Sequence, residues 1–538
     1  MKISYNWIQE YLDFPLPPVD ELVKKIGAQL GEVETVVDLG AKYKNIIIVK
    51  IVSCQPVPDS DHLNVCLIDD GGIAKDVERD ENGLVQVVCG APNVRTGLIV
   101  AWLPPGSTVP SSFDKDPFVI GSRQLRGVMS NGMLASPHEL AIGDSHDGIL
   151  ELGEQTAGTG FADAYKLDDH IIDIENKMFT HRPDCFGILG VAREIAGILG
   201  QAFREPSWFE TFAKNLAPLG EPLPLVVRNE APQLVPRFMA LVLRDLHITS
   251  SSVQLQTYLS RVGIRPISNI VDATNYYMYL TGQPLHAYDY DKVRAIDNGD
   301  TATLVARQPR EEEQLTLLNG KAITPRIGSV VIATESQLIG LGGVMGGANT
   351  EVDANTINII LESATFDMYS IRKTSMVHGL FSEAVTRFNK GQSPLQNDRI
   401  LMAAARHICD TTQATFASDI IDEVAPGLQV NQAFSGLVTV TTEFISARLG
   451  HRFSIAAIVE LLTNVGFKVE ASSSEAPDQL TISVPFWRTD IALKEDIVEE
   501  VGRLYGFDKL PLELSARSLA PANKNPLLEF KGSIRSIL

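Results

Sequence analysis

Apolar positions change their spacing several times along the chain, and each change predicts a boundary. In residues 1 to 39 two amphipathic stretches at helical spacing, Trp7 to Leu12 and Val19 to Leu30, flank the break Pro15-Leu16-Pro17-Pro18, which predicts two short helices. From Asn45-Ile46-Ile47-Ile48-Val49-Lys50-Ile51-Val52 to Gly148-Ile149-Leu150-Glu151-Leu152, short β-branched runs alternate with Gly, Pro and Asp turns. That rhythm predicts a small β-barrel. The polar segments 70 to 83 and 111 to 117 read as surface loops between its strands. Thr180-His181-Arg182-Pro183-Asp184 predicts a turn, and Val191 to Gly200 a helix closed by glycine, while Arg204 to Gly220 reads as a linker.

Beyond the linker, helical stretches mix with strands such as Arg237-Phe238-Met239-Ala240-Leu241-Val242-Leu243 and Val330-Val331-Ile332-Ala333, an α+β pattern without a dinucleotide glycine signature. Gly342-Gly343-Val344-Met345-Gly346-Gly347 fits either phosphate binding or close backbone packing against a ligand or sheet. Residues 430 to 510 form another compact unit, and 511 to 538 begin a further one. The expected organisation is therefore a multidomain α+β chain: an N-terminal α+β domain from 1–39 and 152–203, a barrel at 40–151 inserted into it, a mixed domain at 204–425 and the small unit at 430–510. No internal repeat is visible, and low-complexity sequence is confined to Ala471 to Glu475.

The small unit contains the richest chemistry. Between Trp487 and Gly506 the apolar positions fall at helical spacing from Ile497 on, which puts Asp496, Glu499 and Glu500 on one strip, with Asp490 just ahead of it. Like charges at that spacing destabilise a helix by about 0.2–0.5 kcal/mol per pair, so a neighbouring cation such as Mg²⁺ would relieve them. A solvated acidic face, favoured by the helix dipole in its first turn, is the other reading of the same spacing.

Composition narrows the class. A chain of 538 residues is long enough for about three to five domains. No apolar run approaches the ~18 residues of a membrane span, and the start Met1-Lys2-Ile3-Ser4-Tyr5-Asn6-Trp7 lacks a signal peptide's pattern, so a cytoplasmic location is expected. Cys54, Cys66, Cys89, Cys185 and Cys409 are scattered and include no Cys-x-x-Cys pair, which argues against a disulfide framework and a thiolate zinc site. The net charge of −20 argues against non-specific nucleic-acid binding by the whole surface, while leaving room for a local basic patch.

Several blocks, in order, resemble the β subunit of bacterial-type phenylalanine–tRNA ligase. They are Ser4-Tyr5-Asn6-Trp7, Pro58-Asp59-Ser60-Asp61-His62-Leu63, Val88-Cys89-Gly90-Ala91-Pro92-Asn93, Leu125-Arg126-Gly127-Val128-Met129-Ser130-Asn131-Gly132, His181-Arg182-Pro183-Asp184, Gly282-Gln283-Pro284-Leu285-His286-Ala287-Tyr288-Asp289, Leu361-Glu362-Ser363-Ala364 and the stretch around Asp490. The resemblance implies that the barrel is an OB-fold tRNA-binding module and that the mixed domain is an editing module hydrolysing tyrosine mischarged onto the phenylalanine tRNA. It implies that the small unit is a winged-helix-like α/β domain of DNA-binding type, followed at 511–538 by the start of a catalytic-like domain whose remainder, the C-terminal third, is missing. The expected partners are tRNA and an α subunit that carries the ATP-dependent ligation, in an α₂β₂ enzyme. A free-standing proofreading hydrolase and a scaffold with an inactive pocket are the alternatives.

Carried over residue by residue, the resemblance gives an editing pocket of Thr274, Asn275, His286, Gly346, Glu362, Ser382 and Ala384. In it Glu362 would accept a hydrogen bond from the tyrosine hydroxyl, and His286 would orient the ester or the attacking water. A buried histidine satisfying backbone groups, and a glutamate salt-bridged at a strand end, are the structural alternatives for these two. The same resemblance assigns Asp490, Asp496, Glu499 and Glu500 to a Mg²⁺ shared with the α subunit. For the barrel, the exposed-groove logic of OB folds singles out Arg123 and Arg126 among Lys42, Lys44, Lys50 and Arg95. Alternatively Arg126 braces the turn before Gly127 and Asn131 caps a local turn. Arg387-Phe388-Asn389-Lys390-Gly391 departs from the family's more usual Glu-Arg pair before the glycine.

Overall fold

Ser4 sets the chain's first boundary: its side chain accepts a hydrogen bond from the Trp7 amide at 3.0 Å and starts the helix Tyr5–Gln9, two residues earlier than the apolar spacing alone implies. The computed structural model describes residues 1–57, 60–210, 220–430, 432–471, 478–512, 518, 520 and 523–538. Pro58 and Asp59 of the motif before His62, 211–219 of the expected linker, 472–475 of the low-complexity run and 513–517, 519, 521 and 522 of the final segment lie outside the described residues.

The second helix, Val19–Gln29, buries Leu22 and Ile26, and strand Val33–Asp38 follows it. That strand and Lys2–Ser4 flank the strand His170–Ile174 in an antiparallel sheet, so the chain closes its first unit only after an excursion of about 130 residues. The excursion is a five-stranded antiparallel sheet ordered Val85–Cys89, Asn64–Asp69, Ile47–Pro56, Ile99–Leu103, Met133–Leu134, with a separate hairpin of Ser122–Leu125 and Val128–Asn131. Alternating burial along these strands fills two apolar clusters, one on Ile48, Ala101 and Phe161 and one on Val49, Val87 and Trp102. The loop 70–83 is braced from within, because the buried Asp70 carboxylate takes both Nη1 and Nη2 of Arg79 at 2.7 and 2.8 Å.

The middle domain holds two sheets. One is ordered Leu285–Asp289, Asn358–Thr365, Arg237–Arg244, Thr415–Phe416, with Ile421–Val424 also on Arg237–Arg244. The other runs Leu225–Asn229, Ala302–Arg307, Val331–Ala333, Leu338–Leu341, Met345–Gly346. Helix Asn269–Thr281, capped by Ser268 and closed by Gly282 at φ +80°, packs on the first sheet beside helix Asn397–Thr412. The small C-terminal unit has the sheet Phe434–Thr441, Gln479–Pro485, Lys468–Ala471 and the helices Thr442–Leu449, Ile455–Asn464 and Lys494–Tyr505 around its own core.

These units are not beads on a string. One apolar cluster runs from Trp7 and Ile26 through Ile188–Ile198 to Tyr279, Leu361, Leu401 and Trp487, joining the N-terminal, middle and C-terminal parts. Trp7 stacks on Tyr276 and Tyr279 with ring centroids 5.3 and 6.0 Å away. The expected linker begins as structure rather than as a tether: Ser207–Glu210 is helical, and Phe209 is buried against Phe486 and Trp487.

Candidate functional site

A cavity opens where the two sheets of the middle domain meet. Strands Leu285–Asp289 and Asn358–Thr365 pair antiparallel with His286 directly opposite Glu362, and the period of two puts Tyr288 on the same face as His286. Tyr288 donates its phenol hydrogen to Glu362 Oε2 at 2.6 Å, and its ring meets the His286 ring edge-on with centroids 4.4 Å apart. The opposite wall is the turn between Leu338–Leu341 and Met345–Gly346, where Gly343 stands at φ +68°. A Cβ on Gly346 would lie 2.6 Å from His286 Cε1, so the absence of a side chain there lets the backbone come up to the imidazole. The glycine cluster is thus a close-packing feature of the cavity wall.

Burial tunes both titrating groups. It pushes the His286 imidazole down to about 4, which leaves it neutral at pH 7. It pushes the Glu362 carboxyl up to about 7, against the opposing pull of the Tyr288 hydrogen bond. Among the described residues Glu362 makes no salt bridge, and it lies inside strand Asn358–Thr365 rather than at its end, unlike the structural alternative for it. A carboxyl poised near neutrality beside a neutral imidazole suits hydrogen-bond recognition and water activation.

The other residues assigned to the pocket divide. Gly346 and Ala384 line the cavity with His286 and Glu362. Ser382 stands at its edge: it accepts from the Val385 amide as the cap of helix Glu383–Phe388 and donates its hydroxyl hydrogen to the carbonyl of Val344, a wall residue, at 2.8 Å. Thr274 and Asn275 are not among the lining residues. Both sit in helix Asn269–Thr281, where Thr274 is buried and turns its hydroxyl back to the Val271 carbonyl at 2.7 Å. Among the lining residues that the sequence assignment left out, Tyr288 is the one bonded to Glu362, and its place two positions after His286 in a strand was a usable signal.

In the segment expected to form a barrel, Arg123 and Arg126 are exposed on the hairpin Ser122–Leu125 and Val128–Asn131. Arg126 and Gly127 form its tip with φ of +47° and +81°, and a non-glycine residue in that region costs about 1–2 kcal/mol. Arg126 thus occupies the turn instead of bracing it. Arg123 places its guanidinium 5.5 Å from the Phe118 ring centroid. Asn131 does not cap a turn; its Oδ1 accepts from the Ser122 hydroxyl across the hairpin at 3.0 Å. Arg95 is spent on a two-pronged pair with Glu151, and Lys42 on Asp114.

The acidic stretch before and along helix Lys494–Tyr505 finds its cation inside the protein. Arg488 grips Asp490 through Nε and Nη2 at 2.8 and 2.7 Å and gives Nη1 to Glu500 Oε2 at 2.8 Å. Arg503 adds a bond to the same Glu500 oxygen at 2.9 Å and lies 2.5 Å from Glu194. Arg182 in turn bonds Asp184 and Glu194. Burial alone would raise the Glu500 carboxyl, but Arg488, Arg503 and Arg182 outweigh it and hold it well below the usual range. Asp496 reaches back to the Ala492 and Leu493 amides, and Glu499 is exposed. Asp184, Cys185 and Glu194 stand close enough to share an ion, yet both carboxylates are already on Arg182.

Comparison with known proteins supplies three domain families in chain order. A putative tRNA binding domain matches residues 46–160, a B3/4 domain residues 234–413 and a tRNA synthetase B5 domain residues 438–507. The phenylalanine–tRNA ligase beta subunit of Desulfotalea psychrophila (strain LSv54 / DSM 12343) is 36% identical over 514 residues, covering 95% of this chain and 59% of that protein. That of Latilactobacillus sakei subsp. sakei (strain 23K) is 36% identical over 523 residues, 96% of this chain and 60% of the relative. That of Geobacillus kaustophilus (strain HTA426) is 33% identical over 545 residues, 100% of this chain and 63% of the relative. The chain therefore spans about six tenths of the length of these curated relatives.

Proposed function

Since the chain belongs to the family of phenylalanine–tRNA ligase beta subunits, we propose that it acts in the cytoplasm as such a subunit, holding tRNA and hydrolysing tyrosyl-tRNA while a partner alpha subunit performs the ATP-dependent ligation in an α₂β₂ assembly. The observation that carries this reading is the desolvated trio His286, Glu362 and Tyr288 at the mixed domain's cavity, inside the B3/4 match. Among the described residues no helix is long and apolar enough to cross a membrane.

The hydrolytic chemistry follows from what each group can do. A pocket selecting phenylalanine rejects an analogue with one added hydroxyl by only ~10²-fold, so a second site that hydrogen-bonds that hydroxyl is needed for accuracy. Glu362 supplies the acceptor: one oxygen holds the Tyr288 phenol, and the carboxylate form can take a second phenol from the substrate. Neutral His286 keeps one acceptor nitrogen, which can orient a water toward the ester carbonyl. Gly346 lets its backbone pack against the imidazole, and Ser382, hydrogen-bonded to the Val344 carbonyl, fixes the cavity wall. Thr274 and Asn275, in helix Asn269–Thr281 and outside the cavity lining, take no part in this chemistry.

The tRNA body is taken by the barrel, whose sheet order and exposed Arg123 and Arg126 support an OB-type RNA-binding surface. Asp490, Asp496, Glu499 and Glu500 do not fit a four-carboxylate Mg²⁺ site, because Arg488 and Arg503 neutralise Asp490 and Glu500 and backbone amides hold Asp496. Any Mg²⁺ at the junction with the alpha subunit would draw on exposed Glu499. One observation favours a second reading, a scaffold with an inert pocket: Tyr288 already fills one face of Glu362.

Mixing the chain with an alpha subunit tests the assignment. Phenylalanylation is expected only in the mixture, and tyrosyl-tRNA hydrolysis is expected to fall by ~10²-fold or more in His286→Ala and Glu362→Ala. Hydrolysis that is absent from the unsubstituted mixture would favour the inert scaffold.

A further inference from the structure

Helix Met368–His378 exposes a stripe that a soluble surface normally avoids. Tyr369, Arg372, Lys373, Met376 and Val377 fall at i, i+3, i+4, i+7 and i+8 and all face solvent, while Ile371, Thr374 and Ser375 point inward. Tyr369 is 71%, Met376 66% and Val377 58% exposed, and Phe381, three residues past the helix, is 75% exposed. Contiguous exposed apolar side chains of this kind mark an interaction site.

Charge says what kind. The helix contains Arg372 and Lys373 and no acidic residue, on a chain whose net charge is −20. Neither cation makes an ion pair or hydrogen bond among the described residues, in contrast to Arg95 or Lys42 in the barrel. Aromatic rings interleaved with unspent cations form the combination that stacks bases and holds phosphates of a single strand. The patch is joined to the cavity wall along the chain. Phe381 directly precedes Ser382, which bonds Val344, and Ala384, and both Val344 and Ala384 line the cavity with His286 and Glu362.

We propose that the Tyr369–Phe381 surface is a docking platform for single-stranded RNA, with bases stacked on Tyr369 and Phe381 and phosphates on Arg372 and Lys373, so that a strand's esterified end is led to the cavity. The delivery step rests on the tyrosyl-tRNA hydrolysis proposed above; the RNA contact itself does not. All four side chains are exposed, so their replacement leaves the core intact.

Fluorescence anisotropy of a labelled short single-stranded RNA on the intact chain tests the contact, with deacylation kinetics of tyrosyl-tRNA measured on the same proteins. The pair Tyr369→Ala and Phe381→Ala is expected to weaken oligonucleotide binding about 10-fold or more, and Arg372→Ala with Lys373→Ala to weaken it and flatten its salt dependence. In deacylation the same variants are expected to raise KM about 10-fold with kcat unchanged. Oligonucleotide affinity equal to that of the unsubstituted chain would overturn the proposal, and if the variants instead lost binding to the alpha subunit, the face would be a protein-docking surface. Loss of RNA binding in variants of a chain that hydrolyses no tyrosyl-tRNA would keep the platform and remove the hydrolytic reading. Hydrolysis with an unchanged KM in variants that have lost RNA binding would overturn the delivery step.

Discussion

His286 and Glu362 face each other across one rung of a sheet, and burial moves their titrations in opposite directions, to about 4 and about 7. If Glu362 recognises a phenol as a carboxylate, the preference for tyrosyl over phenylalanyl ester should rise with pH through about 7, and all hydrolysis should fail as His286 takes a proton near pH 4. A pH profile of both rates checks this. The stability linkage has the same two origins with opposite signs. Glu362, raised from 4.5, favours the fold below 4.5 and loses that contribution as pH rises through about 7. His286, lowered from 6.5, favours the fold above 6.5 and loses that contribution as pH falls through about 4. Both residues could be picked out from sequence through their motifs. Tyr288 shares a strand face with His286 by its spacing, but its bond to Glu362 is a diagonal pairing that only strand register creates.

At the scale of elements, the helix Lys494–Tyr505 was readable from the apolar positions Ile497, Val501 and Leu504, all buried in the unit's core. Its charges were not readable. Arg488 and Asp490 are neighbours in sequence, but Glu194 and Arg182 arrive from the N-terminal domain, so the pairing is a tertiary fact. The short helix Ser207–Glu210 escaped for the same reason, since Phe209 gains its burial from Phe486 and Trp487. Removing one partner from a buried ion cluster costs about 3–5 kcal/mol, because the remaining charge keeps its desolvation. Arg488→Met should therefore lower stability by roughly that amount in urea titrations followed by tryptophan fluorescence. An unchanged midpoint would mean that Glu500 finds another cation.

The whole molecule reads as a multidomain α+β chain in which one apolar cluster binds three parts together while the five-stranded sheet packs into two further clusters. The shared cluster around Trp7 was hidden from the sequence because its members are scattered from Ile3 to Trp487. Replacing Arg123 and Arg126 by alanine should weaken tRNA binding and reduce its log–log salt slope by about 1 for each phosphate that is no longer neutralised. The cavity's chemistry should be untouched by that change, so hydrolysis at saturating tRNA should keep its kcat.

The central claim is that Glu362 reads a substrate hydroxyl at a hydrolytic site. The most direct measurement compares the deacylation rates of tyrosyl and phenylalanyl esters of the same tRNA, using the chain with its alpha subunit, for the unsubstituted protein and Glu362→Gln. The tyrosyl ester is expected to be cleaved at least ~10²-fold faster, with most of that ratio lost in the variant. Equal rates for the two esters, or a ratio that survives the substitution, would contradict the account.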